Sequence, residues 1–202
     1  MKKIKYIILM FIMVSILTAC GNKEEVVTND GSIAENTDES PETPEDESIG
    51  RVEDEPIMLF GVFDAQTLDG EEVTEEIFAD ADLTMVNIWG TFCGPCIAEM
   101  PDLGELSREY KDQGFQIVGI VCDVMEPGDE TALEIIDKTD ADYTHLIASE
   151  DLTINALQYV SSVPTTVFVD KEGCLVGEVY SGARDKTTWG LLINQYLTEV
   201  KE

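Results

Sequence analysis

Apolar residues along this chain fall into blocks of different spacing, and each change of spacing marks a change of element. Residues 84–89 and 115–122 are near-continuous apolar runs, the pattern of strands buried on both faces. Between them, residues 97–111 read as a helix, with Pro101 inside it as an expected kink and Gln113-Gly114 as its end. The turn Glu126-Pro127-Gly128-Asp129 leads to a helix at 130–138, then a strand at 144–148 and a short helix at 151–158. Residues 162–169 make an apolar strand containing Pro164, and Asp170-Lys171-Glu172-Gly173 turns it back into 175–180 as an antiparallel hairpin. The last helix, 186–201, sets Trp189, Leu192, Ile193, Tyr196 and Val200 on one face. Ahead of all these, 58–63 and 72–74 flank the turn Leu68-Asp69-Gly70 and predict a short hairpin, followed by one helical turn at 75–79. Alternating strands and helices predict parallel pairing in an α/β domain.

The first 55 residues follow neither pattern. Lys2, Lys3 and Lys5 precede an apolar core at 7–17, too short for a permanent membrane span, and Leu17-Thr18-Ala19-Cys20 closes it. That ending resembles the lipobox of bacterial lipoproteins; the plainer alternative is an ordinary secretory signal that contains a cysteine. The resemblance implies a signal peptide at 1–19, lipidation of Cys20, and a chain held on the outer face of the cell membrane. Residues 21–55 carry thirteen acids against Lys23 and Arg51, with almost no large apolar side chains, so burial cannot offset the entropy of ordering them. Residues 20–55 therefore read as an anchored, extended linker, and 56–202 as one domain.

Charge narrows the partners. The whole chain carries −30, and residues 56–202 hold 29 acids against 7 bases. Nucleic acid needs a basic footprint and is excluded as a partner, and an anionic lipid surface would repel the domain, so the membrane is reached through the lipid alone.

The candidate chemistry sits in Trp89-Gly90-Thr91-Phe92-Cys93-Gly94-Pro95-Cys96, where a strand passes into a helix. A thiol at a helix start faces unpaired N–H groups and the positive end of the helix dipole, which favour the thiolate and make a nucleophile. The second thiol, a turn further on, can close a disulfide with the first, so the pair can carry two electrons. The same spacing serves zinc sites, but those need a second ligand pair, which the chain lacks, and His145 is its single histidine; no metal is expected. Cys122 reads as a small buried residue and Cys174 as an exposed turn residue.

The order of elements looks like the thioredoxin fold. Together with Trp89–Cys96, Glu99-Met100-Pro101 and Val163-Pro164-Thr165-Thr166, the chain resembles the TlpA/ResA-like thiol–disulfide oxidoreductases over roughly 56–200. The resemblance implies an α/β thioredoxin fold with an N-terminal β-hairpin extension and a central α/β insertion, its mixed sheet flanked by helices. It implies Cys93 as attacking thiolate, Cys96 as resolving thiol, and the Cys93–Cys96 disulfide as redox centre with no other cofactor. It makes Pro164 cis, with the Val163 backbone beside the cysteines, and assigns substrate contacts to Trp89, Phe92, Gly94, Pro95, Val163 and Thr165. Asn87 stands where cytoplasmic thioredoxins carry a buried aspartate, and Glu99 matches a glutamate of the resembled proteins. Glu99 is accordingly expected to accept and return the Cys96 proton, against the plainer reading of a solvated helix-face carboxylate.

Gly94-Pro95 matches thioredoxin, a reducing protein, so the expected activity is reduction of protein disulfides outside the membrane. The resemblance implies a membrane electron donor of the CcdA/DsbD type, with apocytochrome c or methionine sulfoxide reductase among the conceivable substrates. The competing readings are a disulfide-forming oxidase on the same fold and a Sco-like copper-binding lipoprotein, whose cysteine spacing is wider. A peroxiredoxin would need Pro and Thr where Val86 and Gly90 stand.

Overall fold

The computed structural model describes residues 56–202; the signal segment, Cys20 and the acidic linker lie outside the described residues. The strands are β1 (Asp64–Gln66), β2 (Glu72–Thr74), β3 (Leu83–Trp89), β4 (Phe115–Val121), β5 (Thr144–Ile147), β6 (Thr165–Asp170) and β7 (Leu175–Ser181), and the helices α1 (Gly94–Tyr110), α2 (Glu130–Thr139), α3 (Glu150–Asn155) and α4 (Lys186–Glu199). Five strands form one mixed sheet in the order β5-β4-β3-β6-β7. The pairs β3/β4 and β4/β5 are parallel, while β3/β6 and β6/β7 are antiparallel. This is the thioredoxin-type arrangement, with β1 and β2 as the N-terminal hairpin.

Every residue of β3 is buried, as its unbroken apolar run requires of a central strand. Alternation then sorts the side chains. Leu83, Met85 and Trp89 pack with Met100, Leu103 and Leu106 of α1, Ala132 of α2 and Trp189 and Ile193 of α4. Val86 and Ile88 join Val118, Ile120, Val167 and Val169 on the other face, under Phe60, Phe63, Phe78 and Leu152. On the last helix Leu197 is buried where Val200 was expected, and Leu192 and Val200 are half-buried.

Three helices start on the oxygen-bearing caps that their sequences offer: Asp129, Ser149 and Asp185 accept from Ala132, Leu152 and Thr188 N–H. Helix α1 instead starts on Cys93, with Pro95 in its first turn. It begins at Gly94, earlier than the apolar spacing indicated, and its helical assignment continues through Pro101.

The segment 58–63 is not a strand. Only Met58 makes a bridge, to Cys174, while Phe60 and Phe63 turn into the core and Asn155 Nδ2 donates to the Phe60 and Val62 carbonyls. Aromatic burial and an asparagine staple thus replace ladder pairing there, and the hairpin strand falls at Asp64–Gln66. The predicted strand at 162–169 likewise begins only at Thr165, because Pro164 has no N–H to give a ladder. The Val163–Pro164 peptide bond is cis.

One row across the sheet departs from the apolar pattern. His145, Gly119, Asn87, Thr166 and Tyr180 are consecutive register partners from β5 to β7, all facing α1. Gly119 is needed within it, since a Cβ there would overlap His145 Nδ1.

Candidate active site

Cys93 and Cys96 are joined by a disulfide, their Cα atoms 5.3 Å apart. Capping the helix with a cysteine gives its sulfur a direct partner: Cys96 N–H donates to Cys93 Sγ across 3.2 Å. When the disulfide opens, that donor and the helix N-terminus stabilise negative charge on Cys93. Cys93 keeps 6% of its surface exposed and Cys96 none, so an incoming sulfur can reach only the first.

The surroundings of Cys93 form a docking edge. Gly94 and Pro95 are exposed, Phe92 is 72% exposed, and Val163 is half-buried with its carbonyl oxygen 3.5 Å from Cys93 Sγ. Val163 precedes β6 and takes no part in ladder or turn hydrogen bonds among the described residues, so its backbone is available for pairing. A groove of ≈470 Å³ runs beside it, lined by Phe92, Cys93, Pro95, Leu157, Val160 and Cys122 among others. A larger cleft of ≈960 Å³, lined by carboxylates such as Glu72 and Asp142, takes in neither redox cysteine. Thr91 is fixed by Asp123, whose carboxylate accepts from both its N–H and its hydroxyl.

Two expected substrate contacts are corrected. Trp89 is completely buried, its indole N–H donating to His145 Nδ1 at 3.2 Å, because the residue ends a strand covered on both faces. Thr165 is buried as well, and its hydroxyl donates to the Ser162 carbonyl at 2.7 Å. The Trp89 side chain cannot touch a docked polypeptide, and the Thr165 hydroxyl is engaged with the Ser162 carbonyl. Cys122, read as buried, is half-buried and lines the groove, and Cys174 is half-buried in its turn. Burial is the main cause raising both thiols above the ordinary value.

Glu99 is 3% exposed, which removes the reading of a solvated helix-face carboxylate. Its Oε1 accepts from Asn87 Nδ2 at 3.1 Å, and its Oε2 from Arg184 N–H at 3.1 Å and Trp189 Nε1 at 3.3 Å. Desolvation pushes its pKa up, while these donors and the Arg184 charge pull it down; the net direction is upward. A buried acid with a raised pKa, one helical turn from the resolving thiol, keeps its proton more readily than an exposed carboxyl does.

Thr166, Trp189 and the Arg184 backbone belong to this polar cluster and carried no sequence signal for it. Arg184 also stacks its guanidinium over Tyr180 and Trp189, 4.9 and 5.1 Å from the ring centroids. A buried tryptophan N–H needs an acceptor, and that requirement is the one clue that could have singled out Trp189.

Comparison with known proteins agrees with this geometry. The model of the AhpC/TSA family matches residues 60–177. Thiol-disulfide oxidoreductase ResA of Halalkalibacterium halodurans is 27% identical over 68% of this chain and 72% of its own length. Thioredoxin-like protein YneN of Bacillus subtilis is 30% identical, over 61% and 70% respectively. A solved thiol:disulfide interchange protein of the thioredoxin family from Chlorobium tepidum superposes with a TM-score of 0.59 at 23% identity, covering 67% of this chain and 93% of that one; it supports the fold.

Proposed function

The chain belongs to the AhpC/TSA family and is a thiol–disulfide oxidoreductase, and from that premise we propose that it works as a reductase of protein disulfides, held by lipidated Cys20 outside the cell membrane. The observation that carries the redox assignment is the asymmetry of the pair: a rim sulfur capping a helix and a fully buried sulfur behind it. Cys93 thiolate attacks one sulfur of a substrate disulfide, forming a mixed disulfide and releasing the other sulfur as a thiolate. Cys96 passes its proton to Glu99 and attacks Cys93 Sγ, which closes the protein disulfide and releases the second substrate thiolate. Glu99 returns its proton to a leaving thiolate. Two electrons have then moved to the substrate, and a membrane donor of the CcdA/DsbD type restores the dithiol. Phe92, Pro95 and the free Val163 backbone receive an extended substrate segment.

The reduction potential of the Cys93–Cys96 pair tests the direction. A value near thioredoxin's, about −270 mV, supports reduction, and one near about −120 mV reverses it. Cys96→Ala should trap substrates on Cys93 as mixed disulfides, and Cys20→Ala should release the protein from membranes. For the proton carrier, Glu99→Gln should move the pH profile of Cys96 alkylation in the reduced protein. An unchanged profile removes Glu99 from the mechanism.

A further inference from the structure

The buried polar cluster beneath the disulfide has one feature that its role as a proton site leaves unexplained. Asn87 is fully buried and gives Nδ2 to two acceptors, Glu99 Oε1 at 3.1 Å and Thr166 Oγ1 at 3.0 Å, while its Oδ1 is buried without a protein partner. An amide with both donors engaged and its acceptor idle fits the ionised form of Glu99 and fails to fit the protonated form.

Which oxygen of Glu99 takes the proton follows from its partners. Oε2 faces the Arg184 backbone N–H and the Trp189 indole N–H, two groups that can only donate. A proton on Oε2 would oppose both. It must therefore reside on Oε1, the oxygen that faces Asn87. There an O–H would meet the amide N–H, donor against donor. An asparagine side chain resolves that conflict by exchanging its ends, since rotation by half a turn presents a carbonyl in nearly the same shape. The exchanged Oδ1 accepts from the Glu99 O–H, and Thr166, whose hydroxyl serves as donor or acceptor, turns to donate to it as well. Each protonation state leaves one end of the amide without a partner, so neither is satisfied at the sole expense of the other.

We propose that Asn87 is a positioning residue that exchanges its amide ends with the proton on Glu99, donating to the carboxylate and accepting from the carboxylic acid. The inference rests on Glu99 carrying the Cys96 proton, and it explains how a residue with 3% exposure takes up and returns that proton without moving its carbon skeleton. Aspartate at position 87 could not do this, because it would add a second acid beside the first. The groups around Glu99 are consistent with a single exchanging proton. Arg184, from the loop before α4, is permanently charged, and Tyr143, just before β5, is held neutral by burial. Cys96 lies one turn before Glu99 on α1, and Trp189 and Thr166 do not titrate.

The test uses the full reduced chain, labelled with 15N-asparagine and with 13C at the glutamate carboxyl carbon, followed by NMR across pH; Asn87→Ala assigns the amide signals. The expected result is that the two Asn87 amide protons and the Glu99 carboxyl carbon titrate with one midpoint, and that contacts of the amide protons to Thr166 seen above the midpoint vanish below it. Amide signals and contacts that ignore the Glu99 titration overturn the proposal. A second arm uses Asn87→Ala itself. If the amide partners both forms, its loss changes the proton affinity of Glu99 by less than about threefold, whereas loss of a fixed donor to the carboxylate raises it about tenfold and overturns the proposal. If that variant does not fold, the contacts of the amide protons to Thr166 in the wild-type chain assign them, and the wild-type titration decides. The role of Glu99 is judged separately by the pH profile of Cys96 alkylation: a profile that ignores the Glu99 midpoint refutes the proton relay, while the amide signals still report on Asn87.

Discussion

The two faces of the central sheet come from the same strands by the same alternation, yet only one carries chemistry. The face under α3 and the N-terminal segment is aliphatic and aromatic: Val86, Ile88, Val118, Ile120, Val167 and Val169 meet Phe60, Phe63 and Phe78. Its buried polar strand residues, Thr84 and Thr165, lie toward strand ends, where Thr84 accepts from Gln116 Nε2 of the neighbouring strand and Thr165 donates to the Ser162 carbonyl. The face under α1 and α4 has an equally apolar perimeter but is crossed by the row His145, Gly119, Asn87, Thr166 and Tyr180, with Glu99 laid over it from α1. Buried polar groups are costly unless paired, and here all but Asn87 Oδ1 and the Tyr143 hydroxyl have partners. The apolar face fixes the sheet, and the polar row places a buried carboxyl, Glu99, one helical turn from the disulfide.

That division predicts different responses to mutation. The largest effect is expected on the apolar face. Phe60 is 1% exposed and stacks at 5.6 Å on Phe78, so Phe60→Ala should lower the unfolding free energy by about 3–5 kcal/mol. Denaturant midpoints measure the loss, and the pH profile of Cys96 alkylation should stay unchanged. A shifted profile would show that the faces are coupled, and the comparison would fail.

On the polar face the next effect appears through pH. His145 is buried, accepts from Trp89 Nε1 at Nδ1, and has Nε2 2.9 Å from the Ala141 carbonyl, so the neutral ring protonated at Nε2 fits both partners. Burial lowers its pKa to about 4. For a histidine held neutral in the fold, the unfolded chain binds the proton first as pH falls. Stability is therefore full above about 6.5 and lost on the way down to about 4, by about 3 kcal/mol for this one residue. Glu99 acts with the opposite sign: its raised folded pKa gives stability at low pH that is lost as pH rises through the folded value. Unfolding of Glu99→Gln between pH 7 and 4 removes the opposing contribution of Glu99 from that window. The single imidazole should also show no titration by NMR until pH approaches 4, and a midpoint near 6.5 would mean that the Trp89–His145 contact does not persist.

The sequence made some of this arrangement readable and hid the rest for a physical reason. The period of the apolar blocks located the strands of the main sheet and the four helices, and the two cysteines could be placed at a helix start because their neighbours fix the local chain. Asn87 and Glu99 were singled out through the family resemblance, and their contact spans only twelve residues on adjoining elements. Their other partners could not be singled out. Thr166 meets Asn87 across 79 residues and Trp189 meets Glu99 across 90, distances set by register and helix docking that no local pattern encodes. Trp89 was expected among the substrate contacts because a tryptophan beside a redox loop can pack inward or outward with the same sequence, and the fully covered strand decided it. Segment 58–63 was misread as a strand because Phe60 and Phe63 carry β-type residues into a loop that Asn155 holds.

The smallest expected effect is the sharpest probe of the row itself. Thr166→Val keeps the shape of the side chain and makes this point of the polar face resemble the apolar one. It removes the hydroxyl that accepts from Asn87 Nδ2, while Nδ2 keeps its bond to Glu99, so stability should fall by only about 1 kcal/mol. The same substitution made together with Asn87→Ala should cost less than the two single losses added, because each variant removes the same hydrogen bond. A coupling of about 1 kcal/mol in that double-mutant cycle would establish the row as one interacting unit. Simple additivity would mean that Asn87 and Thr166 are independent buried polar residues, and the polar face would then differ from the apolar one in composition alone.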